Sequence, residues 1–237
     1  MNAVSRSGAS PAIAKLSAVT LALKRVLDIL GSTVGLLILS PFLLGIAVAI
    51  KLDSPGELFF RQERIGWGGQ PFRIFKFRSM VAGAPQFGRA ITVRADSRIT
   101  RVGAFLRQSK LDELPQLINV LTGDMSLVGP RPEVPEFMNF YTPEQRALIV
   151  SLRPGMTDYA AIFFRDESLL LDGQDDPVEF YRREIMPIKF AYYERYSRDV
   201  GFINDLRIIA ATVWLLAFKH VPERFGIEHG HRLTKTQ

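Results

Sequence analysis

"ILGSTVGLLILSPFLLGIAVAI", residues 29–50, runs for 22 residues without a charge. A run of that length meets the criterion for a helix that crosses a bilayer. It is too long for a removable signal peptide and lacks a cleavage pattern. A buried core helix is the other reading of such a run. The centre is Ser40-Pro41, and that pair decides between topologies. Proline inside a helix loses one hydrogen bond and clashes with the preceding turn, at a cost of about 3 kcal/mol. In lipid the freed carbonyl needs another partner, which the Ser40 hydroxyl can supply. The arms 29–39 and 42–50 each span roughly 14–16 Å at ~1.5 Å per residue. That is about half of a ~30 Å hydrocarbon core. A helix–break–helix that enters and leaves by one face fits these lengths. Lys24 and Arg25 precede the run, and Lys51, Arg61 and Arg64 follow it. A straight span would put one basic flank outside, against the positive-inside preference. The expectation is a re-entrant membrane hairpin over 21–52. An Ala/Ser-rich tail (1–20) precedes it; a cytoplasmic domain (53–220) and a C-terminal tail (221–237) follow.

Beyond the hairpin, "ELFFRQERIGWGGQPFRIFKFRSM" reads as two short strands around a Gly-rich turn at 66–70. The "GWGG" lacks the strand–GxGxxG–helix setting and the GK[ST] of a phosphate loop. Thr142-Pro143-Glu144-Gln145 has an N-cap, a first-position proline and a glutamine at the third position, so it starts a helix that Pro154-Gly155 stops. Asp176-Pro177-Val178-Glu179 is a second start of this kind. Ile203, Leu206, Ile209, Ala210, Val213, Trp214 and Ala217 recur at helical spacing, as a packed or an interfacial amphipathic helix would have them. The fold class expected is α+β, mainly helical with a short β-hairpin, carried by a monotopic membrane anchor.

Composition narrows the chemistry. There is no cysteine, so disulfides and thiolate catalysis are excluded. The three histidines, His220, His229 and His231, all lie near the C-terminus, so a Ser-His-Asp triad or a His-rich metal site in the body is excluded too. The net charge is +6 and the pI about 9.7, with 47% hydrophobic residues and a mean hydropathy of +0.10. The positive excess is local: residues 61–110 carry eleven Lys and Arg against two acids, Glu63 and Asp96. Such a patch suits phosphate, in nucleic acid, anionic lipid or a small molecule.

Against that background "SKLDELPQL", residues 109–117, sets Asp112 and Glu113 side by side. Pro115 is comfortable only in a first helical turn, so the acids sit at a helix N-terminus. Their plain role there is capping and dipole complementation. Arg101, Arg107 and Lys110 precede them, and "GDMSLVGPRPE" follows, with Pro130 and Pro132 stiffening the backbone around Arg131. Neither proline offers an amide donor, so this loop is a rigid stalk for one guanidinium rather than an anion-binding nest. The cations and the helix dipole are expected to keep a carboxylate here ionised. Two acids together with phosphate oxygens make a Mg²⁺ site, and a carboxylate that attacks phosphorus gives a reactive acyl phosphate. The residues thus point to phosphoryl transfer beside a bilayer.

The chain resembles the bacterial sugar transferase family, the monotopic polyprenyl-phosphate phosphoglycosyl transferases, in its small catalytic-core form. The likeness runs from about Lys24 to His220 and rests on "KRVLDILGS", the central "SP", "IFKFRSM", "LRQSKLDELPQLINVLTGDMSLVGPRPE" and "RPGMTDYAAIFFRDE". The resemblance implies transfer of a sugar-1-phosphate from a UDP-sugar to undecaprenyl phosphate, with release of UMP, at the start of surface or exopolysaccharide assembly. It implies Asp112 as the nucleophile that becomes phosphoglycosylated, and Glu113 as its assistant, through Mg²⁺ or as the base towards the lipid phosphate. Lys76, Arg78, Arg107, Arg131 and Arg165 would bind phosphates or nucleotide. Ser40 and Pro41 would break the membrane helix, with Lys24 and Arg25 at the headgroups. The implied location is the cytoplasmic face of the bacterial inner membrane; the partners are UDP-sugar, undecaprenyl phosphate and the bilayer, and a homodimer is allowed for. Where many relatives carry a Gly-Ala-Gln-rich stretch after "RPGMT", this chain has "DYAAIFFRDE". Two rivals remain at this level. One is a non-catalytic basic scaffold on anionic lipid. The other is nucleic-acid binding by the 61–110 patch, against which stand the hydrophobic run and the lack of a recognition module.

Overall fold

The computed structural model describes residues 17–83, 96–222 and 225. It is mainly helical. Helix α1 covers Ala18–Asp53, and strands β1 (Phe59–Ile65) and β2 (Pro71–Phe77) form an antiparallel hairpin with Phe59 opposite Phe77 and Ile65 opposite Pro71. Then come α2 (Arg101–Ser109), α3 (Gln116–Thr122), β3 (Ser126–Val128), α4 (Pro135–Met138), α5 (Pro143–Ser151) and β4 (Gly155–Thr157). Five further helices follow among the described residues: α6 (Tyr159–Phe163), α7 (Glu167–Leu171), α8 (Pro177–Phe180), α9 (Met186–Asp199) and α10 (Phe202–Phe218). A π-helical turn, Tyr181–Ile185, joins α8 to α9.

The expected hairpin turn is present, with Gly68 and Gly69 at positive φ (66° and 76°) where side chains would be strained. The two helix starts also appear. Thr142 and Gln145 form a reciprocal capping box, and Asp176 caps α8 with Pro177 behind it. The parallel pairing of β3 with β4 was not foreseen. It needs glycine on both sides: a Cβ on Gly155 would lie 2.1 Å from the Gly129 nitrogen. The main core gathers Val128, Ile185, Tyr193, Tyr196, Ile208 and Ala211 around this pair. A second cluster joins α1 to β2 and α2 through Ile46, Ile50, Phe77 and Leu106.

Helix α1 departs from the expected break. Helical backbone continues through Ser40 and Pro41. The reason is local: Ser40 Oγ donates to the Leu37 carbonyl at 2.8 Å, the acceptor that Pro41 has no N–H to fill. Lys24 and Arg25 were expected at lipid headgroups, and here too the structure differs. Lys24 Nζ donates to the Val128 carbonyl (2.7 Å), Tyr196 Oη (3.0 Å) and Asp205 Oδ2 (2.6 Å). Arg25 donates to the Val120 and Leu121 carbonyls at 2.7 and 2.9 Å, closing the open end of α3. A buried polar cluster outcompetes water for Lys24, because Asp205 and Tyr196 are buried and need partners.

By length and composition α1 could cross a membrane. The globular body nevertheless holds it on both sides of Ser40-Pro41. Gly35 packs on Leu117, and Leu43 already packs on the second cluster. The stretch between them, 36–42, is about 10 Å long at 1.5 Å per residue. Most of the remaining α1 surface is apolar and outward, with Ile38 72% and Leu52 83% exposed. Helix α10 behaves similarly. It packs through Asp205, Ile208, Ala211 and Leu215, while Ile203, Leu206 and Val213 of the stripe read from sequence face outward.

Candidate active site

The site is built on the junction of α2 and α3. Lys110 ends α2 in the left-handed region (φ 61°), and the chain then makes a 3-10 turn, Leu111–Glu113, before Pro115 leads into α3. A non-glycine residue there costs about 1–2 kcal/mol, so the reversal is held by its surroundings. Asn119 of α3 supplies part of that hold. Its Nδ2 donates to the Arg73 carbonyl (3.0 Å) and its Oδ1 accepts from Phe75 N–H (2.8 Å), filling the free edge of β2 as a strand would. This brings Lys76, next along β2, to the acids.

The two neighbouring acids meet different surroundings. Asp112 is buried, and its Oδ1 has no hydrogen-bond partner. Glu113 is gripped on both oxygens. Lys76 Nζ lies 3.0 Å from Oε1, Arg131 Nη1 donates to Oε2 at 2.9 Å, and Arg131 Nη2 pairs with Oε1. Burial pushes the Asp112 carboxyl above its ordinary value, with Lys76 acting in the opposite sense. This corrects the expectation that cations and the helix end would dominate: desolvation of an unpaired oxygen outweighs them. Burial also penalises Glu113, but Arg131 and Lys76 together hold it well below the usual range. Burial lowers Lys76, against the attraction of Glu113, and Glu113 raises Arg131.

Arg131 stands on the stalk that the two prolines suggested, and the structure adds what fastens it. Gly129 N–H donates to the Thr157 carbonyl (3.0 Å) and Gly155 N–H to the Pro130 carbonyl (2.9 Å). Arg64 Nη1 donates to the Pro132 carbonyl (3.1 Å), and Ile65 N–H to that of Glu133 (2.9 Å). Arg64 is half-buried beside Arg131, and desolvation lowers its pKa to about 10. Behind the stalk, Glu133 accepts from Tyr141 and Tyr181, each at 3.3 Å, and Lys189 joins Tyr181 (3.1 Å) to Glu167 (2.5 Å). Sequence reading placed Arg64 only among the basic flanks of the apolar run and in the 61–110 patch, and passed over Asn119, Glu133, Glu167 and Lys189. Pairing across elements identifies them, and no local pattern marks it.

Of the five cations expected at phosphates, Lys76 and Arg131 meet the carboxylates directly. Arg107 acts on Asp112 electrostatically, and its Nη1 lies 3.4 Å from Ser79 Oγ. Arg78 is elsewhere employed: its buried guanidinium donates to the Ser54 carbonyl (2.6 Å), Ser54 Oγ (3.0 Å) and the Pro55 carbonyl (2.9 Å), tying β2 to the end of α1. Arg165 donates to the Leu215 carbonyl of α10 at 3.1 Å. Arg89 and Arg94 of the basic patch lie outside the described residues. Among the described residues no three His, Cys, Asp or Glu gather as a metal site. For Mg²⁺, which needs only one or two carboxylates when substrate phosphates share it, Asp112 could offer the oxygen other than the unpartnered Oδ1, whereas Glu113 is saturated by its cations.

The sequence profile described as bacterial sugar transferase matches residues 19–219. The chain is 49% identical over 117 residues to a putative undecaprenyl-phosphate N-acetylgalactosaminyl 1-phosphate transferase of Bacillus subtilis, covering 49% of this chain and 65% of that one. It is 45% identical over 202 residues to the UDP-glucose:undecaprenyl-phosphate glucose-1-phosphate transferase of Escherichia coli, covering 84% and 41%. It is 39% identical over 208 residues to an exopolysaccharide production protein of Rhizobium leguminosarum, covering 81% and 94%. The chain thus spans less than two thirds of the length of the first two relatives. With the matched profile running through α1, the carboxylate turn and the Arg131 stalk, the chain belongs to the bacterial sugar transferase family.

Proposed function

We propose that this protein transfers a sugar-1-phosphate from a UDP-sugar to undecaprenyl phosphate, in two displacements at Asp112. The observation that carries the reading is the buried Asp112 carboxylate, with one oxygen unpartnered, beside a Glu113 held by Arg131 and Lys76. The unpartnered oxygen attacks the phosphorus that bears the sugar. The phosphoanhydride bond breaks, UMP leaves with the bridging oxygen and its electron pair, and Asp112 becomes an acyl phosphate. An oxygen of the lipid phosphate then attacks the same phosphorus, restoring the carboxylate and forming the lipid diphosphate sugar. A covalent intermediate lets the soluble donor and the membrane-bound acceptor use one site in turn.

Each neighbour has a part. The donor's diphosphate takes over Arg131 and Lys76 from Glu113, in the bidentate geometry that suits guanidinium. Glu113, released from its cations in a half-buried position, becomes more basic and serves as the base towards the lipid phosphate. Arg107 balances charge at Asp112. Mg²⁺, held by Asp112 and substrate oxygens with Glu113 within reach once freed, would neutralise charge on the phosphates.

The topology reading is that α1 enters and leaves the cytoplasmic face of the inner membrane. It is supported by body contacts on both sides of Ser40-Pro41 and by the outward apolar surfaces of α1 and α10. The donor sugar is chosen among those named for the relatives, glucose and N-acetylgalactosamine. The test is UMP release by detergent-solubilised protein with a panel of UDP-sugars, undecaprenyl phosphate and Mg²⁺. Release by the wild type and none by Asp112→Asn is expected. No release with any donor, from protein that binds anionic vesicles, would favour the scaffold reading instead.

A further inference from the structure

Glu167 ends the stretch "DYAAIFFRDE", where the chain departs from the pattern of many relatives. It opens α7, and its side chain is 27% exposed. One carboxylate oxygen, Oε2, meets Lys189 Nζ at 2.5 Å. Lys189 is buried, donates to Tyr181 Oη at 3.1 Å and lies 4.7 Å from the centre of the Tyr181 ring. So held, the lysine fixes the carboxylate from behind. The other oxygen, Oε1, makes no hydrogen bond among the described residues and is not enclosed. The segment is pinned on its opposite flank too, where Arg165 donates to the Leu215 carbonyl at 3.1 Å. A chain of contacts leads from Glu167 to the Arg131 stalk. Lys189 bonds Tyr181, Tyr181 donates to Glu133 at 3.3 Å, and Glu133 lies just beyond Arg131-Pro132. Along the backbone, β4 carries the stalk through Gly155 and Thr157 and runs on into α6, which leads to Glu167. Glu167 and Arg131 accordingly feel each other's charge.

We propose that Glu167 recognises the sugar of the donor: its Oε1 accepts a hydrogen bond from a hydroxyl of the hexose while Arg131 and Lys76 take the diphosphate. This rests on the donor reading above. A carboxylate repels phosphate, so the part of the donor that suits Glu167 is neutral and rich in hydroxyls. The uridine diphosphate is common to the donors considered, and the sugar is where they differ. A stabilising ion pair alone does not explain the arrangement. Burying the Lys189 ammonium is costly, and a pair whose acid is open to water returns little for it. What the pairing does achieve is orientation. A carboxylate locked by a buried cation loses little freedom when a ligand arrives, and an ionised acceptor binds a hydroxyl more strongly than a neutral one. A site built to bond a hydroxyl also discriminates sharply against a sugar that lacks it or points it elsewhere.

The test separates the sugar from the nucleotide. The parent is Asp112→Asn, so that binding is not followed by transfer, and the probes are UDP, UDP-glucose and UDP-N-acetylgalactosamine. Dissociation constants are measured by calorimetry. Glu167→Gln, added to the parent, keeps an oxygen for Lys189 and turns an amide N–H₂ towards the sugar. Affinity for the better-bound UDP-sugar is expected to fall about tenfold, the worth of one charge-assisted hydrogen bond, while affinity for UDP stays at the parent's level. Glu167→Asp keeps the charge but shortens the reach; it is expected to give the same split and serves if the glutamine variant does not fold. An equal loss for UDP and for the UDP-sugars would mean that Glu167 acts through Arg131 or the fold, and overturns the proposal. A variant that binds every probe as the parent does overturns it as well. A parent that binds none of the three probes brings down the donor reading, and this proposal with it.

Discussion

Asp112 and Glu113 are chemically similar neighbours that the fold drives apart. One loses its solvent without gaining a partner; the other loses its solvent and gains two cations. The first is therefore easily protonated and reactive when ionised, and the second is locked. The acceptor-free half-reaction should lose rate towards acid with a midpoint above the ordinary aspartate value of 3.8, because attack needs the ionised form and burial raises the Asp112 pKa. A single-turnover pH profile shows this, and a rate flat down to the ordinary value would contradict it. Glu113→Gln should bind UDP-sugar about tenfold more tightly, since the internal competitor for Arg131 and Lys76 is gone. It should turn over at least about a hundredfold more slowly, for want of the base. Weaker binding would remove the competition from the account. Stability reports on the same scale. Asp158 holds its proton more tightly folded (about 6) than the ordinary 3.8, so its ionisation destabilises the fold as pH rises through that window. Asp158→Asn should then raise the melting temperature at neutral pH, by the equivalent of about 3 kcal/mol at most, and the gain should vanish below about pH 4. The adjacency of the acids was legible in the sequence. Their opposite fates were not, because burial is set by β2 and the Arg131 stalk, which are distant in the chain. Arg78 and Arg131 show the same limit. Each is an arginine in a basic motif, and packing alone assigns one to Ser54 and the other to Glu113.

At the scale of elements, local patterns translate well where the signal is short-range. The Gly-rich turn, the Thr142 capping box and the Pro115 helix start all lie where turn and cap chemistry put them. Ser40-Pro41 is instructive because each half was read correctly but their sum was not: the serine hydroxyl takes over the Leu37 carbonyl, and the helical path continues. The docking of α3 on β2 through the Asn119 side chain has no such local signature. Asn119→Ala should leave the Phe75 amide without a partner and the Arg73 carbonyl with only the 3.5 Å bond from Arg61 Nη2, costing about 1–3 kcal/mol. It should also slow turnover by loosening Lys76. Denaturant unfolding and UMP release measure the two effects; an unchanged midpoint would mean that the edge of β2 is satisfied in another way.

Across the whole molecule, α1 and the body are one structure. Lys24 of α1 meets Asp205 of α10 across 181 residues of sequence, with Tyr196 and the Val128 carbonyl completing the cluster. That closure fixes β3, and with it the foot of the Arg131 stalk, against α1. Lys24→Met should strand a buried carboxylate and cost about 3–5 kcal/mol, read as a lower denaturation midpoint in detergent. A midpoint unchanged from wild type would show that Asp205 is held without it. The sequence displayed Lys24 beside an apolar run, where a headgroup role is the economical reading; only the long-range pairing reveals the other.

The central claim is that Asp112 carries the sugar phosphate between donor and acceptor. Intact-mass analysis after mixing with UDP-glucose or UDP-N-acetylgalactosamine and Mg²⁺, without acceptor, tests it most directly. The account predicts a gain of one sugar phosphate, mapped to the peptide containing Asp112, with one equivalent of UMP, absent in Asp112→Asn and discharged by undecaprenyl phosphate. UMP that appears only when acceptor is present, with no adduct on the protein at any time, would contradict it and point to direct transfer.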